Sequence, residues 1–211
     1  MKILKIATAG SVDDGKSTLI GRLLYETDSL KSDQLEHIKA KSESRGFDYL
    51  DLSLATDGLL TEREQGITID VSHIFFSTPT RRFIIADSPG HVEYTRNMVT
   101  GASTAQSSIL LIDARKGMVE QPRRHLYINR LLGIQHLVFA INKMDLVDFD
   151  QGRFEEIKHQ VKTWLQNASM QIKTIDFVPI SALLGDNVTS ASKQMNWYNS
   201  STLLEILENL L

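Results

Sequence analysis

The chain has 211 residues, 42% of them hydrophobic, and its 23 basic and 26 acidic side chains give a formal charge of −3. That length and apolar content suit one large domain, and the near balance of charge leaves no electrostatic footprint for nucleic acid or an anionic membrane surface. Cysteine is absent, which excludes a disulfide framework and a thiolate metal site. No apolar run reaches the length of a bilayer span, and the first residues enter a strand rather than an apolar leader, so a soluble cytoplasmic protein is expected.

Residues 1–9 carry alternating apolar positions and predict a strand, while Leu19-Ile20-Gly21-Arg22-Leu23-Leu24 predicts a helix face. Between them lies Gly10-Ser11-Val12-Asp13-Asp14-Gly15-Lys16-Ser17-Thr18: a glycine, four residues, then Gly-Lys-Ser. In a strand-to-helix turn this is a phosphate cradle. The glycines let backbone N–H groups turn inward around phosphate oxygens, and the helix aims its positive end at them. Lys16 then reaches the β- and γ-phosphates, and the Ser17 hydroxyl ligates Mg²⁺. The competing view is a chance glycine-rich turn; the flanking strand and helix weigh against it.

Residues 25–45 mix Lys, Ser, Glu and Asp with sparse Leu30, Leu35 and Ile38, and predict a mostly exposed helical excursion. Residues 47–67 make a long connection holding Asp57-Gly58 and Glu62-Arg63-Glu64-Gln65, of a length that usually marks function or mobility. Strands at 70–76 and 82–86, joined through Ser77-Thr78-Pro79-Thr80, predict an antiparallel hairpin. The second ends at Asp87-Ser88-Pro89-Gly90-His91, ahead of a helical pattern at 92–102. An acid at such a strand tip can hold Mg²⁺ through water, and a glycine N–H can meet the γ-phosphate. The basic pairs Arg81-Arg82 and Arg123-Arg124 read as solvated faces.

Ser108-Ile109-Leu110-Leu111-Ile112-Asp113 and Leu137-Val138-Phe139-Ala140-Ile141 are short apolar runs of the kind buried in a parallel sheet, with a helix at 121–132 between them ended by Gly133. The second run leads into Asn142-Lys143-Met144-Asp145. Asn-Lys-x-Asp at the C-terminal edge of a strand reads guanine: the carboxylate accepts from the base N1–H and exocyclic amine, which adenine does not offer in that arrangement, and the lysine stem can lie over the base. A helical stripe at 153–166 places Trp164 toward the core. The last strand, 174–180, ends in Ser181-Ala182-Leu183, positioned to present a backbone N–H to the guanine O6. A loop over 184–201 follows. Thr202-Leu203-Leu204-Glu205 then forms a capping box for a helix with Leu203, Ile206, Leu207 and Leu210 on one face. That pattern stops without a C-cap, which predicts a natural protein that runs on.

Five motifs in this order resemble the translation-factor-like (elongation factor Tu-like) P-loop GTPases, over essentially the whole chain. Residues 10–24, 57–71, Tyr94-Thr95-Arg96-Asn97-Met98-Val99-Thr100-Gly101-Ala102-Ser103 and Met195-Asn196-Trp197-Tyr198 further resemble subunit 1, the GTPase subunit, of bacterial sulfate adenylyltransferase. The resemblance implies a three-layer α/β, Ras-like G domain over 1–211, with a mostly parallel six-stranded sheet and helices on both faces; the two β-barrel domains of the family are absent from this chain. It implies GTP or GDP with Mg²⁺, and hydrolysis that drives synthesis of adenosine 5′-phosphosulfate from ATP and sulfate by a small catalytic subunit in a heterodimer, without nucleic acid or membrane. The alternatives are a ribosome-binding switch and a nucleotide-binding domain with no useful turnover.

Residue by residue, the resemblance implies that Gly10, Ser11, Val12, Asp13, Asp14, Gly15, Lys16, Ser17 and Thr18 hold GTP together with Asp87, Ser88, Pro89, Gly90 and His91. Asn142, Lys143, Met144, Asp145, Ser181, Ala182 and Leu183 complete that set. Mg²⁺ falls to Ser17, to Thr68 when the γ-phosphate is present, and to Asp87 through water. Lys16, Thr68, Gly90 and His91 form the catalytic group: Gly90 senses the γ-phosphate and His91 positions the attacking water behind an apolar gate of Val12 and Ile67. A helix-start histidine with a structural hydrogen bond is the competing role for His91, and the other five histidines read as surface or core. No arginine finger can be assigned, Arg63 and Arg96 reading as structural or partner-facing. Two departures stand out: Asp14 replaces the histidine usual in elongation factors, favouring the sulfate-activating branch, and Ser88 replaces the commoner threonine.

Overall fold

Every residue of Ser107–Asp113 and of His136–Asn142 is buried, as strands covered on both faces must be. They are β4 and β5 of a six-stranded sheet whose other members are β1 (Ile3–Ala9), β2 (Ser72–Ser77), β3 (Arg82–Asp87) and β6 (Thr174–Pro179). The order across the sheet is β2-β3-β1-β4-β5-β6. Only β2 runs antiparallel, pairing Ile74 with Ile85 and Phe76 with Phe83, so the hairpin is as expected. The other neighbouring pairs are parallel. The computed structural model describes residues 2–11, 13–56, 72–87, 104–168 and 172–210.

Among the described residues the helices are α1 (Lys16–Glu26), α2 (Ser32–Ser44), α3 (Glu120–Leu131), α4 (Gln151–Asn167) and α5 (Leu203–Asn209). One core packs Leu4, Ile6, Ile109 and Val138 against Leu19, Ile20 and Leu23 of α1 and Leu203 and Leu207 of α5. The other packs Ala7, Leu110, Phe139 and Ile141 against Leu126 of α3 and Phe154, Ile157 and Val161 of α4, with Trp164 partly buried beside it. Each large side chain so buried is worth about 1.5–3 kcal/mol in transfer free energy, and the two clusters make the three layers expected from the motifs. Gly21 lies where α1 meets the chain after α2: a Cβ there would collide with the Leu52 carbonyl oxygen. Among the described residues no helix is long and apolar enough to cross a membrane.

Two local expectations need correcting. Arg81 is not a solvated residue but is 5% exposed, and its Nη1 donates to the carbonyls of Leu207 (3.2 Å), Glu208 (3.0 Å) and Leu210. The last helix therefore does have a C-terminal cap, supplied from the hairpin turn together with its own Asn209, whose Nδ2 donates to the Glu205 carbonyl at 2.8 Å. Its N-terminal capping box is present in both directions, Thr202 with Glu205. The helical pattern at 92–102 and the 57–71 stretch lie outside the described residues.

Candidate nucleotide-binding site

The carboxyl ends of the parallel strands β1, β3, β5 and β6 lie at one end of the sheet, where open α/β folds bind their ligands. At the first, the chain folds over itself at Asp13, with a positive φ of 69°, and Gly15, with φ 91°. A Cβ at Gly15 would collide with the Asn142 side-chain nitrogen, so glycine is required there by both conformation and packing. Lys16 opens α1 and places Nζ 3.1 Å from Asp87 Oδ1 at the tip of β3, an oxygen that also accepts from the Thr8 hydroxyl at 3.2 Å. Ser17 and Thr18 follow in the first turn of α1.

Asn142, 2% exposed, joins three of these turns. Its Nδ2 donates to the Asp14 carbonyl at 2.8 Å, and its Oδ1 accepts from the Ala182 N–H at 2.9 Å. Of the Ser181-Ala182-Leu183 stretch expected to present a backbone N–H to a base oxygen, the Ala182 N–H is thus engaged by Asn142. Lys143, held at φ 64°, pairs with Asp113 Oδ2 at 3.1 Å and donates to the Asp13 carbonyl. Met144 is fully buried in the core, which leaves its backbone, not its side chain, at the site. Arg22 of α1 ties down the β6 turn through the carbonyls of Ala182 (3.0 Å) and Leu183. Ser181 Oγ accepts from the Leu184 N–H at 3.2 Å.

Two side-chain oxygens here are buried with no hydrogen-bond partner among the described residues: Ser11 Oγ and Asp145 Oδ1. A buried carboxylate oxygen left unsatisfied is costly, and Asp145 Oδ1 has the capacity to accept from a donor such as a base N–H. For a cation, the Ser17 hydroxyl and the Asp87 carboxylate are hard oxygen donors of the kind Mg²⁺ takes. Among the described residues no group of three or more His, Cys, Asp or Glu could hold a metal, so Mg²⁺ would need phosphate oxygens as well. Val12, Thr68, Ser88, Pro89, Gly90 and His91, with Ile67, lie outside the described residues.

Four further residues crowd this end without having been singled out in the sequence. Asp113, at the tip of β4, takes three hydrogen bonds from Arg115 and one ion pair from Lys143. Burial pushes its carboxyl up, but those partners together hold it at about 2. Lys116 Nζ stands 3.8 Å from Asp14 Oδ1. His125 of α3 has a buried Nδ1 with no partner among the described residues, and burial together with the Lys16 charge lowers it to about 4, so it is neutral near pH 7. An acid or base ending an apolar strand was the available signal for Asp113 and Arg115; nothing in the sequence marks His125.

Fold and site together define an α/β P-loop domain of the GTPase type. Residues 1–211 match the family model described as elongation factor Tu GTP binding domain, and the chain belongs to that family. It is 55% identical over 208 residues to a bifunctional enzyme CysN/CysC of Mycobacterium tuberculosis, covering 99% of this chain and 34% of that protein. It is 56% identical over 210 residues to sulfate adenylyltransferase subunit 1 of Yersinia enterocolitica, covering 99% and 44%. The chain therefore spans less than half the length of these curated relatives. Among solved structures, sup35 complexed with GMPPNP is 29% identical with a TM-score of 0.68, covering 100% of this chain and 45% of that one. The S. cerevisiae Ski7 GTPase-like domain, 24% identical with a TM-score of 0.78 and covering 98% and 49%, shares the fold.

Proposed function

We propose that this chain is the GTP-hydrolysing domain of a sulfate adenylyltransferase subunit 1, and that its turnover drives formation of adenosine 5′-phosphosulfate from ATP and sulfate on a small catalytic partner subunit in the cytoplasm. The observation that carries the guanine half is Asp145 Oδ1, buried and unsatisfied at the C-terminal edge of β5 beside the P-loop. The sulfate half is supported by relatives of that name at 53–56% identity over 99% of the chain. In this proposal the β-barrel domains of the family belong to the rest of the natural protein.

Hydrolysis is an in-line attack of water on the γ-phosphorus, with the β–γ bridging oxygen leaving on GDP, and the protein's part is positioning and charge stabilisation. The loop from Gly10 to Thr18 wraps the phosphates, Lys16 exchanges Asp87 for the β- and γ-phosphate oxygens, and Asp145 fixes the base. Ser17, Thr68 and Asp87, the last through water, would hold Mg²⁺, which neutralises charge developing on the phosphate oxygens. Gly90 meets the γ-phosphate, and His91 orients the water.

The test is GTP hydrolysis by the full-length protein, alone and with the small subunit, ATP and sulfate. Turnover that is slow alone and rises only when all three are added is the expected result; a supplied electrostatic element is worth roughly 10³–10⁵ in rate in such enzymes. Stimulation by ribosomes instead would assign the chain to translation.

A further inference from the structure

Asp14 is out of place electrostatically. It is a carboxylate, 2% exposed, built into a loop whose geometry suits anionic phosphates, and a buried charge of the wrong sign persists only where it does something an apolar side chain cannot. What it does is visible. Its Oδ2 accepts the Ser11 N–H at 2.7 Å, while its own N–H donates to the Ser11 carbonyl at 3.2 Å. Residues 11 and 14 are thus clasped twice, once through the side chain and once through the backbone, around the left-handed Asp13. The Asp14 carbonyl is then held by Asn142, so the clasp connects the phosphate loop to the β5 turn.

The charge is thinly offset. Asp113 lies near enough to act on Asp14 electrostatically, but its own charge is met by Arg115 and Lys143. Lys116, with a side chain 42% exposed and 3.8 Å away, is the ion-pair partner of Asp14, and Arg115, engaged with Asp113, also acts on Asp14 electrostatically. Burial raises the Asp14 pKa, and the Ser11 N–H and Lys116 pull against it.

We infer that Asp14 is a positioning residue for nucleotide binding: its acceptor oxygen holds the phosphate loop in shape through Ser11, and its negative charge, offset by Lys116, moderates affinity for the phosphates. The role rests on the guanine-nucleotide function proposed above. Acceptor and charge can be separated by substitution. Asp14→Asn keeps an oxygen for Ser11 and removes the charge; Asp14→Ala removes both; Lys116→Met strips the counter-ion and leaves the clasp.

The experiment is equilibrium titration of the full-length protein with fluorescent GDP, for wild type, Asp14→Asn, Asp14→Ala, Lys116→Met and the Asp14→Asn/Lys116→Met pair, with thermal melting as a check on folding. Loss of a charged-acceptor hydrogen bond predicts a roughly tenfold rise in Kd for Asp14→Ala. Asp14→Asn should bind at least as tightly as wild type. Lys116→Met should weaken GDP by about threefold in the wild-type background and not at all in the Asp14→Asn background, as expected of two coupled charges. Equal Kd for the two Asp14 variants, or an equal effect of Lys116→Met in both backgrounds, overturns the role while leaving the proposed function standing. A wild type that binds no guanine nucleotide overturns the proposed function and this role with it.

Discussion

Asp145 shows what a single side chain can decide. One of its oxygens is buried without a partner among the described residues, and in the proposed function a base presenting two adjacent donors would satisfy the carboxylate. In Asp145→Asn an amide N–H replaces an acceptor and faces the 2-amino group of guanine donor to donor, whereas the O2 carbonyl of xanthine would accept from it. Because hydrogen bonds to charged groups contribute about 1.5–3 kcal/mol, GTP affinity should fall roughly ten- to a hundredfold while xanthosine triphosphate gains. Competition of both triphosphates against fluorescent GDP measures this. Unchanged GTP affinity in the variant would remove Asp145 from the base site.

At the scale of elements, the hairpin between β2 and β3 and the helix α5 stabilise each other although 126–130 residues separate the atoms that touch. Arg81 caps the last carbonyls, and the Thr78 and Thr80 hydroxyls both donate to Glu208 Oε1 at 2.5 Å. Arg81→Met keeps the aliphatic stem but leaves these carbonyls without a donor. About 1–3 kcal/mol should be lost, or several degrees of Tm for a chain of this size, with faster amide exchange at 207–210. A melting point within a degree of wild type would mean that water replaces the cap at no cost. Strands, helices and the Thr202 box, by contrast, were legible because their signals are local: period-2 and period-3.6 patterns, apolar runs, a hydroxyl three residues before a glutamate. The P-loop and Asn142-Lys143-Met144-Asp145 were legible for the same reason. Arg81, His125 and the pairing of Lys143 with Asp113 were not, since their meaning lies in partners that only folding brings near. Met144 sits within a legible motif, yet its side chain belongs to the core.

For the molecule as a whole, the sheet collects the polar turns at one end and leaves buried charge directly beneath them. Asp113 has a side chain with no exposure, and its carboxyl is held at about 2 against 3.8 for an unperturbed one. A folded-state pKa depressed in this way adds stability above the unfolded value that disappears as pH falls through the folded one. The difference corresponds to about 2 kcal/mol, present in full at neutral pH and lost between roughly pH 4 and pH 2. Asp113→Asn cannot ionise, so the pH-dependent part of its deficit has the same window. Melting of wild type and variant from pH 7 downward should show a gap that is constant to about pH 5 and then narrows by about 4–8 °C in equivalent stability. A gap that stays constant through pH 3 would mean that Arg115 and Lys143 do not hold the carboxylate in the folded protein. The same two cations would then be free to turn toward phosphate, and the floor of the site would be less fixed than the Asn142 tie above it.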